Sequence, residues 1–345
     1  MYGARLGALI HPASISSSFE HASHILERHS GELFRLRAFF GPQHGFLGQT
    51  QDNMVEWESY EDPRLHIPIY SLYGAHREPT KEMLEKLDVL LVDLQDVGAR
   101  YYTFVWTLYL CMRACEKSGT RVVVLDRPNP INGLTTEGPA LEPNYTSFVG
   151  MHPLPVRHGH TIGELARQFR DEAFPNCELS VLPMKNWDRA MWFDQTGLPW
   201  VMPSPNMPTL DTATVYPGMC LFEGTNMSEG RGTTRPFEIF GAPFIDAKKL
   251  CTELNSLALP GVFFRENYFQ PGFQKFAGQL CGGAQIHVIN RAAFQPFMTG
   301  IEIIRVIRRL YRDQFAWKQP PYEYEMEKLP IEILLGRPIG HFFEN

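Results

Sequence analysis

Residues 221–236, Leu-Phe-Glu-Gly-Thr-Asn-Met-Ser-Glu-Gly-Arg-Gly-Thr-Thr-Arg-Pro, gather the densest set of reactive and hydrogen-bonding side chains in the chain. Two carboxylates (Glu223, Glu229), two guanidiniums (Arg231, Arg235), Thr225, Thr233, Thr234, Asn226 and Ser228 surround three glycines. Glycine lets a main chain approach a ligand closely, while short hydroxyls and amides supply hydrogen bonds, so this composition fits a loop directed at a polar ligand. The bland alternative is a surface turn, against which the scarcity of Lys speaks. Further acids lie in loops rich in Gly, Asn and aromatic residues: Asp93 and Asp96 in Asp-Leu-Gln-Asp-Val-Gly, and Glu137 in Thr-Glu-Gly-Pro. Glycoside hydrolysis needs two such groups, one protonated to assist the leaving oxygen and one ionised as base or nucleophile. Each has a structural alternative: Asp93 and Asp126 capping turns, Asp96 pairing with Arg100, Glu137 supporting the Gly-Pro turn.

Other chemistries fit less well. No G-x-G-x-x-G follows the first predicted strand and no G-x-x-x-x-G-K-[ST] occurs, which argues against dinucleotide and P-loop sites. His152, His158 and His160 with Asp126 match no compact zinc spacing. A G-x-S-x-G elbow is absent, and the cysteines at 111, 115, 177, 220, 251 and 281 sit in apolar surroundings without C-x-x-C spacing, as buried free thiols do. Neither a metal nor a cofactor is expected.

The elements that must position these groups alternate. Buried strands are predicted at 5–10, 35–40, 69–72, 88–94 and 121–125. Helices are predicted at 17–29 (capped by its serines), 80–87, 102–117 and 161–173, the last with Thr161 and Glu164 as a capping box. Fully apolar strands alternating with helices predict an α/β fold, a Rossmann-like parallel sheet covered on both faces. Ligands of such sheets sit beyond the carboxyl ends of the strands. That places His11-Pro12, Gly41 to Gly45, Asp93 to Arg100 and Asp126 to Gly133 at the site. A Pro-rich stretch at 198–208 marks the passage from an N-terminal domain (1–197) to a smaller α+β domain (198–345), with strands at 261–264 and 285–288 and a helix at 300–312.

At 345 residues and 44% hydrophobic content the chain can bury two cores. A net charge of −6 without basic runs excludes a nucleic-acid or anionic-membrane footprint, and no stretch is long and apolar enough to span a bilayer. Read literally the chain is cytoplasmic; a processed or truncated periplasmic or secreted protein would look the same.

With these residues in view, the chain resembles the NamZ-type exo-β-N-acetylmuramidases, a glycoside hydrolase family long known only as a domain of unknown function. The matching segments are Phe40-Gly-Pro-Gln-His-Gly-Phe46, Asp93-Leu-Gln-Asp-Val-Gly98, Val124-Leu-Asp-Arg-Pro-Asn-Pro-Ile-Asn-Gly133, Pro203-Ser-Pro-Asn-Met-Pro-Thr-Leu-Asp211 and residues 221–235. The resemblance implies release of N-acetylmuramic acid from the non-reducing end of peptidoglycan fragments, without a cofactor, with the sugar held in a cleft between the two domains. The lactyl carboxylate of that sugar calls for a guanidinium, with Arg231, Arg235 and Arg100 as candidates. Asn129, Asn206 and Asn226, together with Thr225, Thr233, Gln43 and Asp93, suit its hydroxyls and acetamido group. Proton transfer is expected from Glu223 or Glu229 facing Asp96 or Glu137, with His44 orienting one of them. Many relatives carry Glu where this chain has Gln43, and an amide cannot exchange a proton at neutral pH. Three readings follow: the catalytic pair lies elsewhere, Glu56 compensates, or the protein binds muropeptides without cleaving them. A metallohydrolase on the same scaffold is a further alternative.

Overall fold

The computed structural model describes residues 2–52 and 54–343, and its contacts divide them into two units. Unit 1 comprises Met1–Gly98, Tyr102–Leu134 and Gly159–Pro208; unit 2 comprises Ala99–Tyr101, Thr135–His158 and Thr209–Asn345. The Pro-rich stretch thus packs with unit 1, where the carbonyl of Pro203 meets His11 Nδ1 at 3.4 Å. The excursion 135–158 packs with unit 2.

Unit 1 is built on a seven-stranded sheet in the order β3-β4-β2-β1-β5-β6-β7. Its strands are β1 (Arg5–Ile10), β2 (Arg35–Gly41), β3 (Tyr60–Glu61), β4 (Pro68–Ser71), β5 (Val89–Asp93), β6 (Arg121–Leu125) and β7 (Leu179–Leu182). Six run parallel, and the short β3 pairs antiparallel to β4 at the edge. Omitting β3, the parallel strands in chain order read 3-2-1-4-5-6, the doubly wound Rossmann order. Every residue of β5 is buried, and since successive side chains point to opposite faces, both faces of this central strand are covered. The helices are α1 (Ala22–His29), α2 (Lys81–Leu84), α3 (Phe104–Ser118) and α4 (Ile162–Glu172). Thr161 and Glu164 form the expected capping box on α4. Helix α1 begins later than its serine run predicts, because Ser16 Oγ accepts from the N–H groups of Ser18 and Glu20 and holds that run in a turn, leaving His21 as the cap. The strands β3 and β7 are short and had no pattern to announce them.

Unit 2 holds a three-stranded antiparallel sheet in the order β8-β10-β9: β8 (Ile239–Ala242), β9 (Val262–Phe269) and β10 (Cys281–Val288). Around it lie α5 (Leu210–Met219), α6 (Ala247–Ser256), α7 (Pro296–Leu310), α8 (Pro330–Leu335) and α9 (Gly340–Phe343). Helices α5 and α7 touch backbone to backbone at Gly218 and Gly300, where a Cβ on either glycine would run into the other helix. This is the expected α+β domain. All six cysteines are free and buried.

Candidate active site

The carboxyl ends of the unit 1 strands carry a layer of buried polar side chains: His11 after β1, Gln43 and His44 after β2, Asp93, Gln95 and Asp96 after β5, and Asn129 after β6. At the topological switch point between β1 and β5, where doubly wound sheets bind dinucleotides, the protein's own groups bridge the two strand ends. Gln95 N–H donates to His11 Nε2 at 3.0 Å, and Ser14 Oγ donates to the carbonyl of Asp93 at 2.5 Å. Because Nε2 accepts a backbone N–H, the His11 proton sits on Nδ1, facing the carbonyl of Pro203. Burial, with help from the Arg127 charge, pushes the His11 pKa down to about 3, so the ring is neutral.

Asp93 does not stand ready for a sugar hydroxyl. Arg127 grips it through Nε at 2.5 Å and a second nitrogen at 2.9 Å, a two-point guanidinium–carboxylate pair. Beside this pair opens a 360 Å³ cleft with largely apolar walls, among them Ile15, Leu26, Leu125 and Met184. Asp96 Oδ2 accepts from Gly98 N–H at 2.7 Å. Gly98 has φ +81°, and a Cβ there would strike Asn129, so the turn presenting Asp96 requires glycine. Asn129 closes its own turn by accepting from Ile131 N–H and donates to the carbonyl of His160. Gln43 Oε1 accepts from Thr103 Oγ1 at 2.6 Å. His44, at φ +73°, turns Nδ1 to the carbonyl of Thr50 at 2.9 Å. Asn206 donates to the carbonyl of Gln51 at 2.8 Å, and exposed Glu56 pairs with Arg77 at 2.9 Å.

In unit 2 the Gly-rich loop is knit together from within. Arg231 is buried, donates to Glu223 Oε1 at 2.7 Å, lies 3.4 Å from Glu229 and stacks over Phe237. Tyr322 donates its hydroxyl to Glu223 Oε2 at 2.8 Å. Lys275 spends its three donors on the carbonyls of Phe222 and Met227 and on Glu229 Oε2, each at 2.9 Å. Burial alone would raise the Glu223 pKa, but Arg231 and the Tyr322 hydroxyl outweigh it and hold the group below the usual carboxylate range. The same carboxylates drive the Arg231 pKa up against its own burial. A carboxylate held ionised in this way is a poor proton donor. This speaks against Glu223 as the source of the proton; the partners that fix Glu223 and Glu229 lie 8, 46 and 99 residues away in sequence and leave no local signal.

The remaining loop residues follow suit. Thr225 donates to the carbonyl of Phe222 and accepts from Met227 N–H, and Thr233 bonds within its own turn to Gly230 and Arg235. Asn226 bridges to Gln314 and Ala316. Of the three candidate arginines, Arg231 is held by the two acids. Fully buried Arg100 gives its guanidinium to the carbonyls of Pro139, Leu154 and Leu334, each at 2.8 Å, and burial lowers its pKa to about 10. Only Arg235, paired with Glu238 at 2.9 Å, keeps a half-exposed side chain.

Glu137 is different. Its Oε1 accepts the Met298 N–H at 2.9 Å in the first turn of α7, whose own N-cap offers no side chain. Burial raises its pKa, only partly opposed by the Met298 and Phe297 N–H groups and by Arg157. Oε2 accepts no hydrogen bond among the described residues. Among the described residues no group of three or more His, Cys, Asp and Glu side chains is placed to hold a metal, and no helix is long and apolar enough to cross a membrane. His11 was placed at the site by its strand end, and Gln95 and Arg127 lie in the strand-end motifs without a role of their own, but Lys275 and Tyr322 have no local signature.

Two family models cover the chain: "Exo-beta-N-acetylmuramidase NamZ, N-terminal" matches residues 6–211 and its C-terminal counterpart residues 214–339. The chain is 48% identical over 315 residues to the peptidoglycan beta-N-acetylmuramidase NamZ of Bacillus subtilis (strain 168), covering 91% of this chain and 75% of that protein. Crystal structures of two DUF1343 family proteins of Bacteroides fragilis NCTC 9343 are also similar. One has a TM-score of 0.88 at 32% identity, covering 99% of this chain and 86% of that one. The other has a TM-score of 0.70 at 29% identity, covering 96% and 83%.

Proposed function

The chain belongs to the exo-β-N-acetylmuramidase NamZ family, and we propose that it hydrolyses the β-glycosidic bond of a terminal N-acetylmuramic acid at the non-reducing end of peptidoglycan fragments. The observation that carries this reading is the reach of the likeness: both family domains are matched, and a peptidoglycan β-N-acetylmuramidase is nearly half identical across most of the chain. A hydrolase is thereby favoured over a protein that only binds muropeptides.

For the proton donor the surroundings support Glu137. A general acid must hold its proton near neutral pH, which burial promotes, and must keep an oxygen for the leaving group. Glu137 has the raised pKa, and its Oε2, itself buried, has no hydrogen bond among the described residues, so it serves a leaving group only once the groups covering it part; Oε1 is fixed by the start of α7. We assign Glu223 and Glu229 to the framework, and Arg235, the half-exposed guanidinium, to the lactyl carboxylate.

The test compares two substrates, a muramic acid–glucosamine disaccharide and an aryl N-acetylmuramide whose leaving group needs no protonation. Glu137→Gln should lower turnover of the disaccharide by roughly 100-fold or more while largely sparing the aryl glycoside. Equal losses on both substrates, or none, would remove Glu137 from the acid role. Binding of the disaccharide by the unaltered protein without release of free sugar would remove the hydrolase reading altogether.

A further inference from the structure

A second cluster of guanidiniums lies on α7, beside the 314–317 segment to which Asn226 of the Gly-rich loop is hydrogen-bonded. Arg305, Arg308 and Arg309 share one face of α7, and Arg312 follows in the turn after its end. With Trp317 and Phe343 among its walls, this cluster lines a 540 Å³ cleft wholly within unit 2, a volume in the range of small-ligand sites. Two of the four charges are answered, Arg305 by Glu302 at 2.5 Å and Arg309 by Glu253 at 2.6 Å. Arg308 lies over the Trp317 ring at 5.2 Å and the Phe343 ring at 5.7 Å and donates to the Phe343 carbonyl. Neither Arg308 nor Arg312 meets a carboxylate among the described residues. Burial pushes the Arg308 pKa down with no acid to offset it, the reverse of Arg231.

Cations near a helix C-terminus are favourable by themselves, which accounts for Arg308 and Arg309. It accounts neither for Arg312, beyond the helix, nor for a concavity walled by aromatic rings. Arg305, Arg309 and Arg312 are exposed, as in a solvated basic stripe, but Arg308 is half-buried in the wall of the cleft. Here the aromatic wall displaces water beside Arg308, which strengthens its attraction for an anion, and guanidinium forks match the geometry of oxyanions. We propose that this cleft binds a small oxyanion of two negative charges, a phosphate or a dicarboxylate, paired by Arg308 and Arg312. The two unanswered cations set the charge of the ligand. The site is independent of the glycosidase reading, since neither arginine has a role in it.

Calorimetric titration of the full chain at low ionic strength, with inorganic phosphate in one arm and succinate in the other, tests this and tells the two sources apart. A single site is expected for at least one anion. Its affinity should fall roughly ten-fold in Arg312→Gln, the loss of one hydrogen bond to a charged group. Binding should vanish when Arg308→Gln is added, while Arg312→Gln leaves aryl muramide hydrolysis unchanged. No binding of either anion overturns the proposal, as does binding that both variants retain.

Discussion

At the strand ends of unit 1, many of the buried polar groups are answered by neutral partners: a neutral imidazole, backbone N–H groups, a threonine hydroxyl and amides, alongside the charged pair Asp93–Arg127. In the Gly-rich loop of unit 2 the answer is ionic, with Arg231 between Glu223 and Glu229 and Lys275 closing the set. The difference matters because a neutral hydrogen bond can be exchanged for one to a ligand at little cost. A buried ion cannot leave its partner without exposing the other's uncompensated charge. The loop that looks most reactive in sequence is therefore the more rigidly committed of the two regions, and the strand ends are the more adaptable.

The contrast is broken most severely at Arg231. Arg231→Met leaves two buried carboxylates without their guanidinium, and a loss of about 3–5 kcal/mol is expected in denaturant unfolding. Adding Glu223→Gln should recover part of that loss, because the stranded charge goes with it. If Arg231→Met unfolds with the stability of the parent, the cluster is not the clamp described.

Acid should act on the neutral layer next. His11 has a folded pKa of about 3, against an ordinary 6.5. Above pH 6.5 neither state binds the proton and His11 adds no pH dependence. As pH falls from 6.5 toward 3, the unfolded chain takes up a proton that the folded protein refuses, and stability declines by about 1.4 kcal/mol per pH unit. Glu223, with its folded pKa lowered, is fully stabilising above the ordinary carboxylate range and is lost at lower pH than His11 begins to act. His11→Asn should remove the imidazole's share of the slope between about pH 6 and 5, where Glu137 and Asp126, with folded pKa values raised by burial, act in the opposite sense and are left unchanged by the substitution. An unchanged slope there would show that the imidazole is not the group responsible.

Much of this was legible in advance, for identifiable reasons. Alternating fully apolar strands gave β1, β2, β5 and β6, and the polar residues just beyond them are where the buried layer lies, since a parallel sheet covered on both faces leaves only its ends for polar groups. Thr161 and Glu164 announced α4 because a capping box is a local bond pattern. The loop's residue types were read correctly as a dense polar set, but their partners were not. Glu223 finds Tyr322 and Glu229 finds Lys275 through tertiary packing that leaves no periodic trace. Likewise Arg100, an apparent carboxylate binder, proves to strap three carbonyls, because neither burial nor carbonyl placement can be read from its neighbours. Glu137 was legible as a candidate acid, and what the structure adds is the environment that raises its pKa.

The smallest expected effect on stability is the sharpest probe of adaptability at the strand ends. Thr103 Oγ1 donates to Gln43 Oε1 at 2.6 Å and so decides which end of that amide faces away. Thr103→Val removes one neutral hydrogen bond, a cost of about 1 kcal/mol. If Gln43 contacts the sugar in the ground state, loss of that orientation should raise KM and leave kcat close to the parent, since a contact made equally in substrate and transition state affects binding alone. A kcat that falls together with kcat/KM would instead place Gln43 against the developing charge of the transition state. That would give the Gln43 amide a stabilising part in the chemistry without any proton to transfer. Unaltered KM and kcat would take Gln43 out of the site and leave its bond to Thr103 as a matter of fold alone.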